Sequence, residues 1–339
     1  MIRPQLARNF LGDRLEALPL AIVYVTDRCN SRCITCDYWK HGQTNLPLAA
    51  ARKLAPELRA LGTQVVLLSG GEPLLHPHWA EVAQVFHEAG MRLWLLTAGL
   101  SLAKHAERAA ELCERVTVSL DGATPETYRA IRGVDGFEAV CAGVRAMVAR
   151  GVPVTLRCTV QHLNYVELPA LVRLGQELGV EQVSFLAVDV STHVAFARAE
   201  DYNQSLALRP DDLAGFAAVL DTLERDYAAE FAAGFIAERP AKLRRLEQYF
   251  AALLGQGGFP AVRCNAPRFS AVIGADGHVQ PCYFIDGGQP PVDQPLAQAL
   301  NAPALVALRR DIRAGRRAEC ARCVCAMYRG PRSLVLAGF

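Results

Sequence analysis

The run Asp27-Arg28-Cys29-Asn30-Ser31-Arg32-Cys33-Ile34-Thr35-Cys36-Asp37 places three cysteines in C-x3-C-x2-C spacing within eight residues. Three thiolates on one loop hold three corners of a [4Fe–4S] cubane, and a cubane has four irons, so one iron is left for a ligand that is not protein. A structural zinc site is the competing reading. Zinc loops usually offer C-x2-C pairs and need a fourth protein ligand, for which only His41 lies near. A disulfide suits a secreted chain, and residues 1–8 lack the apolar segment of a secretory signal.

Working outward, the loop follows an apolar run at 21–26 that reads as a strand. Residues 47–61 read as a helix from the spacing of Leu48, Ala51, Leu54, Ala55 and Leu58. Further strands are expected at 65–68, 92–96, 116–120, 154–160 and 182–188, with helices near 79–89, 102–113, 137–150 and 166–178. Six strand–helix units in this order imply parallel strands joined by right-handed crossovers, and hence an α/β fold of the partial (β/α)6 TIM-barrel kind. Such folds place their chemistry on the loops after the strands. The polar motifs fall there: the cysteines after the first strand, Ser69-Gly70-Gly71-Glu72-Pro73 after the second, Thr97-Ala98-Gly99 after the third, and Ser119-Leu120-Asp121-Gly122 at the fourth. The fifth strand carries Arg157 and Thr159, and the sixth ends at Asp189.

Gly70 and Gly71 have no Cβ and let the backbone approach a ligand closely, while exposed carbonyls together with Glu72 can receive an ammonium group. A plain turn is the other reading of Gly-Gly-Glu-Pro. Arg157 is read as a partner for a ligand carboxylate, or as half of a structural ion pair. His76 and His78 read as turn residues, and His193 is better placed to meet a substrate.

With 339 residues the chain is long enough for a barrel-sized domain and a smaller one. At 51% hydrophobic and 21% charged it reads as an ordinary globular protein. A net charge of +2 gives no bulk attraction to nucleic acid or to an anionic membrane. No apolar run approaches the length of a membrane span, so a cytoplasmic location is expected. There the eleven cysteines are better explained by metal ligation than by disulfides.

The expected organisation is an N-terminal lead-in at 1–20, whose Leu11, Leu15, Leu18 and Leu20 cover the barrel, the partial barrel at 21–205, a helical bridge at 206–258 and a small α+β domain at 259–339. In the last, two strands at 268–273 and 278–284 flank the turn signal Ala275-Asp276-Gly277, and a helix spans 296–314. Cys264 and Cys282, with Cys320 and Cys323, make C-x17-C followed by C-x2-C. Four thiolates complete a second [4Fe–4S] centre or a zinc ribbon. Cys325 is then either a substitute ligand for Cys323 or a free thiol with a hydrogen atom to donate.

At Cys29, Cys33 and Cys36 the sequence resembles the radical S-adenosylmethionine (SAM) superfamily. Thr35 stands where that family often has an aromatic residue. The resemblance implies that SAM chelates the open iron and is cleaved by one electron to a 5′-deoxyadenosyl radical. It further implies that Gly70, Gly71 and Glu72 bind the methionine amino group, that Ser119 and Asp121 line the SAM pocket, and that Arg157 meets its carboxylate. The C-terminal pattern, with Cys264, Gly277 and Cys282 in C-x12-G-x4-C spacing, resembles the SPASM/twitch extension with its auxiliary cluster. Its shortened form is similar to that of 2-deoxy-scyllo-inosamine dehydrogenases. The implied function is hydrogen abstraction from a small polar metabolite, an aminocyclitol or sugar, ending in dehydrogenation or epimerisation. The alternative is a maturase modifying a ribosomally made peptide. Either needs a reducing partner such as flavodoxin or ferredoxin.

Overall fold

Runs such as Leu20–Thr26 and Val65–Gly70 offer almost no polar face to water, so they become strands covered on both sides. The structure is a computed structural model that describes residues 4–192, 194–198, 204–285 and 294–330. In chain order come α1 (Pro4–Leu11), β1 (Leu20–Thr26), α2 (Tyr38–His41), α3 (Leu48–Ala60), β2 (Val65–Gly70), α4 (Trp79–Glu88), β3 (Arg92–Thr97), α5 (Leu102–Leu112) and β4 (Cys113–Ser119). Then follow α6 (Pro125–Arg132), α7 (Phe137–Val148), β5 (Val154–Val160), α8 (Leu168–Glu177) and β6 (Gln182–Ala187). The remainder is α9 (Asp212–Asp226), α10 (Ala228–Ala233), α11 (Pro240–Leu253), β7 (Ser270–Ile273), β8 (Val279–Gln280), α12 (Leu296–Ala299), α13 (Pro303–Arg313) and α14 (Ala318–Ala321).

One sheet runs in the order β6-β5-β4-β3-β2-β1-β7-β8. The expected parallel strands β1 to β6 pair in sequence, β7 adds to β1 in parallel with Leu20 opposite Ser270 and Val23 opposite Ile273, and β8 returns antiparallel. With β6 and β8 at its ends, the sheet is not closed. The bare edge of β6 is covered: Val183 N donates to Phe235 O (2.7 Å) and Ala237 N to Val183 O (2.9 Å). The buried carboxylate of Glu238 accepts from Ser184 Oγ (3.0 Å) and Phe185 N (2.8 Å). Strand edges handled this way do not recruit another chain.

Strand alternation divides the interior in two. Val23, Val66, Leu68, Leu95 and Val118 face the helices, against Leu58, Val82, Phe86 and Val144. Leu20, Ile22, Tyr24, Val65, Leu67 and Trp94 gather on the other face, the barrel lumen. By register the lumen turns polar across β4 to β6: Trp94 lies beside Arg115, Ser119 beside Arg157, and Arg157 beside Ser184.

The lead-in is a fastening. Buried Asn9 donates to Ala17 O (2.7 Å) and Arg268 O (2.8 Å) and accepts from Glu16 N (2.7 Å). Arg268 returns bonds to the carbonyls of Asn9, Phe10 and Gly12. Leu15, Leu18 and Leu20 are buried as expected, but Leu11, the last residue of α1, is 82% exposed and covers nothing. The helix expected at 296–314 is two, because Pro303 lacks the N–H a continuous helix needs. The short polar helix α6 was not expected at all.

Candidate active site

The cysteine loop is strapped down on three sides by backbone bonds. From β2, Gly71 N donates to Thr26 O (2.8 Å) and Glu72 N to Arg28 O (2.7 Å). At the end of α6, Arg32 N donates to Arg132 O (2.9 Å) and Ile34 N to Ile131 O (3.0 Å). Beyond β6, Asp37 N donates to Phe196 O (2.8 Å). Glycine is required at two of these crossings. A Cβ on Gly71 would stand 2.2 Å from Arg28 O, and one on Gly133, at φ +68°, 2.2 Å from Arg32 O. The glycine pair therefore makes room for the cysteine loop itself, where the sequence reading gave that room to a ligand.

Glu72 also differs from expectation. Its carboxylate is fully buried and turned toward the end of β3, accepting from Thr97 Oγ1 (2.7 Å), Ala98 N (2.6 Å) and Leu74 N (3.1 Å). Burial raises its pKa against the pull of these donors. It ties the loops after β2 and β3 together, and an exposed carboxylate for an ammonium group is not what the chain presents. His76 is a turn residue as expected: Nδ1 accepts from His78 N (3.0 Å), which leaves Nε2 to donate to Leu46 O (3.0 Å). His193 lies outside the described residues.

Arg132 was missed by the sequence reading. Its Nε lies 2.8 Å from Asp121 Oδ2, and another guanidinium nitrogen lies 3.6 Å from Cys33 Sγ. The Nε–H is not aimed along the first contact, so this is an ion pair without a directed hydrogen bond. Burial works against the charge on Arg132, but Asp121 and Cys33 hold it there. Asp121 accepts from Thr159 N (2.7 Å) through Oδ1, so both its oxygens are engaged within the protein. A signal existed in the caps of α6: Thr124 accepts from Thr127 N, Pro125 follows at the first turn, and Gly133 closes the helix in the left-handed region.

Burial pushes the Cys29 thiol up to about 11 and that of Cys36 to about 12, each raised further by the neighbouring thiols. Such thiols give up their protons to a metal, so loading releases protons. In the loop Asn30 Oδ1 and Ser31 Oγ, on α6 Tyr128 OH, and on and after β5 Arg157 Nε and both amide atoms of Gln161 are buried without a partner among the described residues. Buried polar atoms normally have partners. Three thiols set among orphaned donors and acceptors fit a cluster with one open iron and an added ligand rich in polar groups. Ser119, whose side chain makes no hydrogen bond among the described residues, faces the same lumen.

A second group forms in the C-terminal segment. Cys264, Cys282, Cys320, Cys323 and Cys325 all line one pocket between β7 and the C-terminal loop. Burial raises Cys282 to about 12 and Cys320 to about 11. Arg157, expected beside a SAM carboxylate or in a structural ion pair, acts on the half-buried Cys325 thiol and on Tyr283. Tyr24 spans the two cysteine groups, its ring 6.1 Å from Tyr38 and 6.5 Å from Tyr283 between centroids. The leftover Cys113, Cys141 and Cys158 are buried core residues.

Residues 23–175 match the Radical SAM superfamily. The chain is 33% identical over 162 residues to an AdoMet-dependent heme synthase of Methanosarcina barkeri, covering 46% of either chain. It is 32% identical over 177 residues to PqqA peptide cyclase of Ruegeria pomeroyi, covering 50% of this chain and 47% of that one. It thus spans about half the length of these curated relatives. Among solved structures, Streptococcus suis SuiB bound to S-adenosylmethionine is similar with a TM-score of 0.68 over 96% of this chain and 76% of that one, at 14% identity, which is a likeness of fold. Residues 23–175 thus carry the likeness to the Radical SAM superfamily, and the open parallel sheet agrees with the fold of the solved neighbours. The family implies a [4Fe–4S] cluster and SAM. No helix among the described residues is long and apolar enough to cross a membrane.

Proposed function

We propose that Cys29, Cys33 and Cys36 hold a [4Fe–4S] cluster that binds SAM, and that the enzyme oxidises or epimerises a small polar metabolite, an aminocyclitol or sugar, within the lumen. When bound, cluster and SAM together supply a 5′-deoxyadenosyl radical that removes a hydrogen atom from carbon. The chain's own residues do the rest. Any hold of Gly70 and Gly71 on SAM falls to their backbone, since Glu72 is already bonded to Thr97 and Ala98. Ser119, Thr159 and Arg157 orient substrate hydroxyl groups from the polar half of the lumen, while Tyr24, Tyr38 and Tyr283 exclude water. Cys264, Cys282, Cys320 and Cys323 hold an auxiliary cluster that stores the electron released on dehydrogenation.

The observation that carries this reading is Arg157, which lies beside Ser119 on the lumen face of β5 and acts on the Cys325 thiol. A half-buried Arg whose Nε is enclosed without a partner among the described residues suits a compact ligand with several oxygens. Cys325, beside that guanidinium, is the hydrogen-atom donor that epimerisation requires. A maturase acting on a peptide is the alternative, supported by the likeness to PqqA peptide cyclase.

Anaerobic reconstitution followed by SAM and dithionite tests the proposal. Wild type should form 5′-deoxyadenosine, and the Cys29→Ala/Cys33→Ala/Cys36→Ala variant should lose it together with about four irons. Cys325→Ala should keep both iron and deoxyadenosine formation but lose epimerised product. Zinc in place of iron and sulfide, or deoxyadenosine formation surviving the triple substitution, would overturn the reading.

A further inference from the structure

Cys323 faces two ways. It lines the inner pocket with the other four C-terminal cysteines, and it also lines an outward pocket of about 380 Å³ between α11 and the C-terminal loop. The remaining lining of that outer pocket includes Arg239, Lys242, Arg245 and Arg263 and contains no Asp or Glu. Lys242 and Arg245 stand three residues apart on one face of α11, and Arg239 is its N-cap. All four cations are exposed.

Their neighbours leave the charge largely uncompensated. Lys242 pairs with Glu238 at 3.4 Å, and among the described residues no carboxylate pairs with the other three. Arg245 donates to the Ala261 carbonyl, and Arg263 lies 3.7 Å over the Tyr328 ring and donates to its hydroxyl at 2.7 Å. Arg239 has no carboxylate partner among the described residues. A chain of net charge +2 has thus gathered four cations around a floor of Leu246, Tyr249, Pro260, Val324 and Ala326. An apolar centre with a charged rim is the anatomy of a transient protein interface. Exposed charges of one sign steer an oppositely charged partner. A small anion would instead call for buried donors converging on one point.

We propose that this surface docks an acidic one-electron carrier protein and that the electron crosses at Cys323. The inference rests on the proposed auxiliary cluster in the inner pocket. One electron moves: the carrier's oxidised form gains it, the metal centre behind Cys323 loses it, and no bond is made or broken.

The test uses reconstituted protein and oxidised flavodoxin as the acidic carrier. Binding by calorimetry should weaken about tenfold or more between 50 and 500 mM NaCl. It should weaken about tenfold in Lys242→Glu/Arg245→Glu and stay unchanged in Arg108→Glu on the distant α5. Stopped-flow formation of flavodoxin semiquinone by the reduced, desalted enzyme should slow in parallel. Salt-insensitive binding, equal loss in the Arg108 variant, an unaltered semiquinone rate, or tighter binding of tRNA or of phosphatidylserine vesicles would overturn the docking site. Dithionite-driven deoxyadenosine formation separates the two readings: its presence in the double variant keeps the proposed function whatever happens to docking, and its absence in wild type removes that function.

Discussion

Arg132 reaches Asp121 with one nitrogen and Cys33 with another. A cation held against a thiolate stabilises added negative charge, so a cluster bound there is easier to reduce. Arg132→Leu should leave iron content unchanged and move the reduction potential of the SAM-site cluster more negative, on the order of tens of millivolts, read by EPR-monitored titration. An unchanged potential would leave Arg132 only its role in fixing the loop. The cysteines were legible because their spacing is itself the chemistry. Arg132 was not, because its thiol partner lies 99 residues away and an Arg in a charged octapeptide looks like any solvated residue. Glu72 was misread for a related reason: sequence shows which groups adjoin a turn, but the direction of a side chain is set by tertiary neighbours such as Thr97.

Among the elements, buried parallel strands were the readable part. Val154–Val160 is legible because apolar Val154, Leu156, Cys158 and Val160 alternate with Thr155, Arg157 and Thr159. Helix α6 escaped because it is short and polar, and it forms for what its end supports: Gly133 lets the Arg32 carbonyl approach within Cβ distance. Gly133→Ala should cost about 1–3 kcal/mol in urea unfolding and lower anaerobic iron loading. Gly234→Ala is the comparison, with φ +75° but open space around it, so it keeps the backbone strain and lacks the clash. Equal losses in the two variants would show that the close crossing contributes nothing.

At the scale of the whole molecule, the segment at 4–20 and β7 hold each other through Asn9 and Arg268. Asn9→Ala would leave the Arg268 carbonyl and the Glu16 amide short of a partner in a buried site. The expected loss is about 1–3 kcal/mol, with faster hydrogen exchange at 270–273 than at β5; uniform exchange would refute this fastening. The pairing of β7 beside β1 could not be read from the sequence, where the hairpin stands far from its neighbour and looks self-contained. That pairing sets an order of events during synthesis. Strand β1 leaves the ribosome about 250 residues before Ser270 does, so a nascent chain carries an open template for wrong pairing through most of translation. Messages truncated before Ser270 should therefore yield aggregates, and metal insertion into the loop after β1 belongs after release of the chain, when that flank is closed.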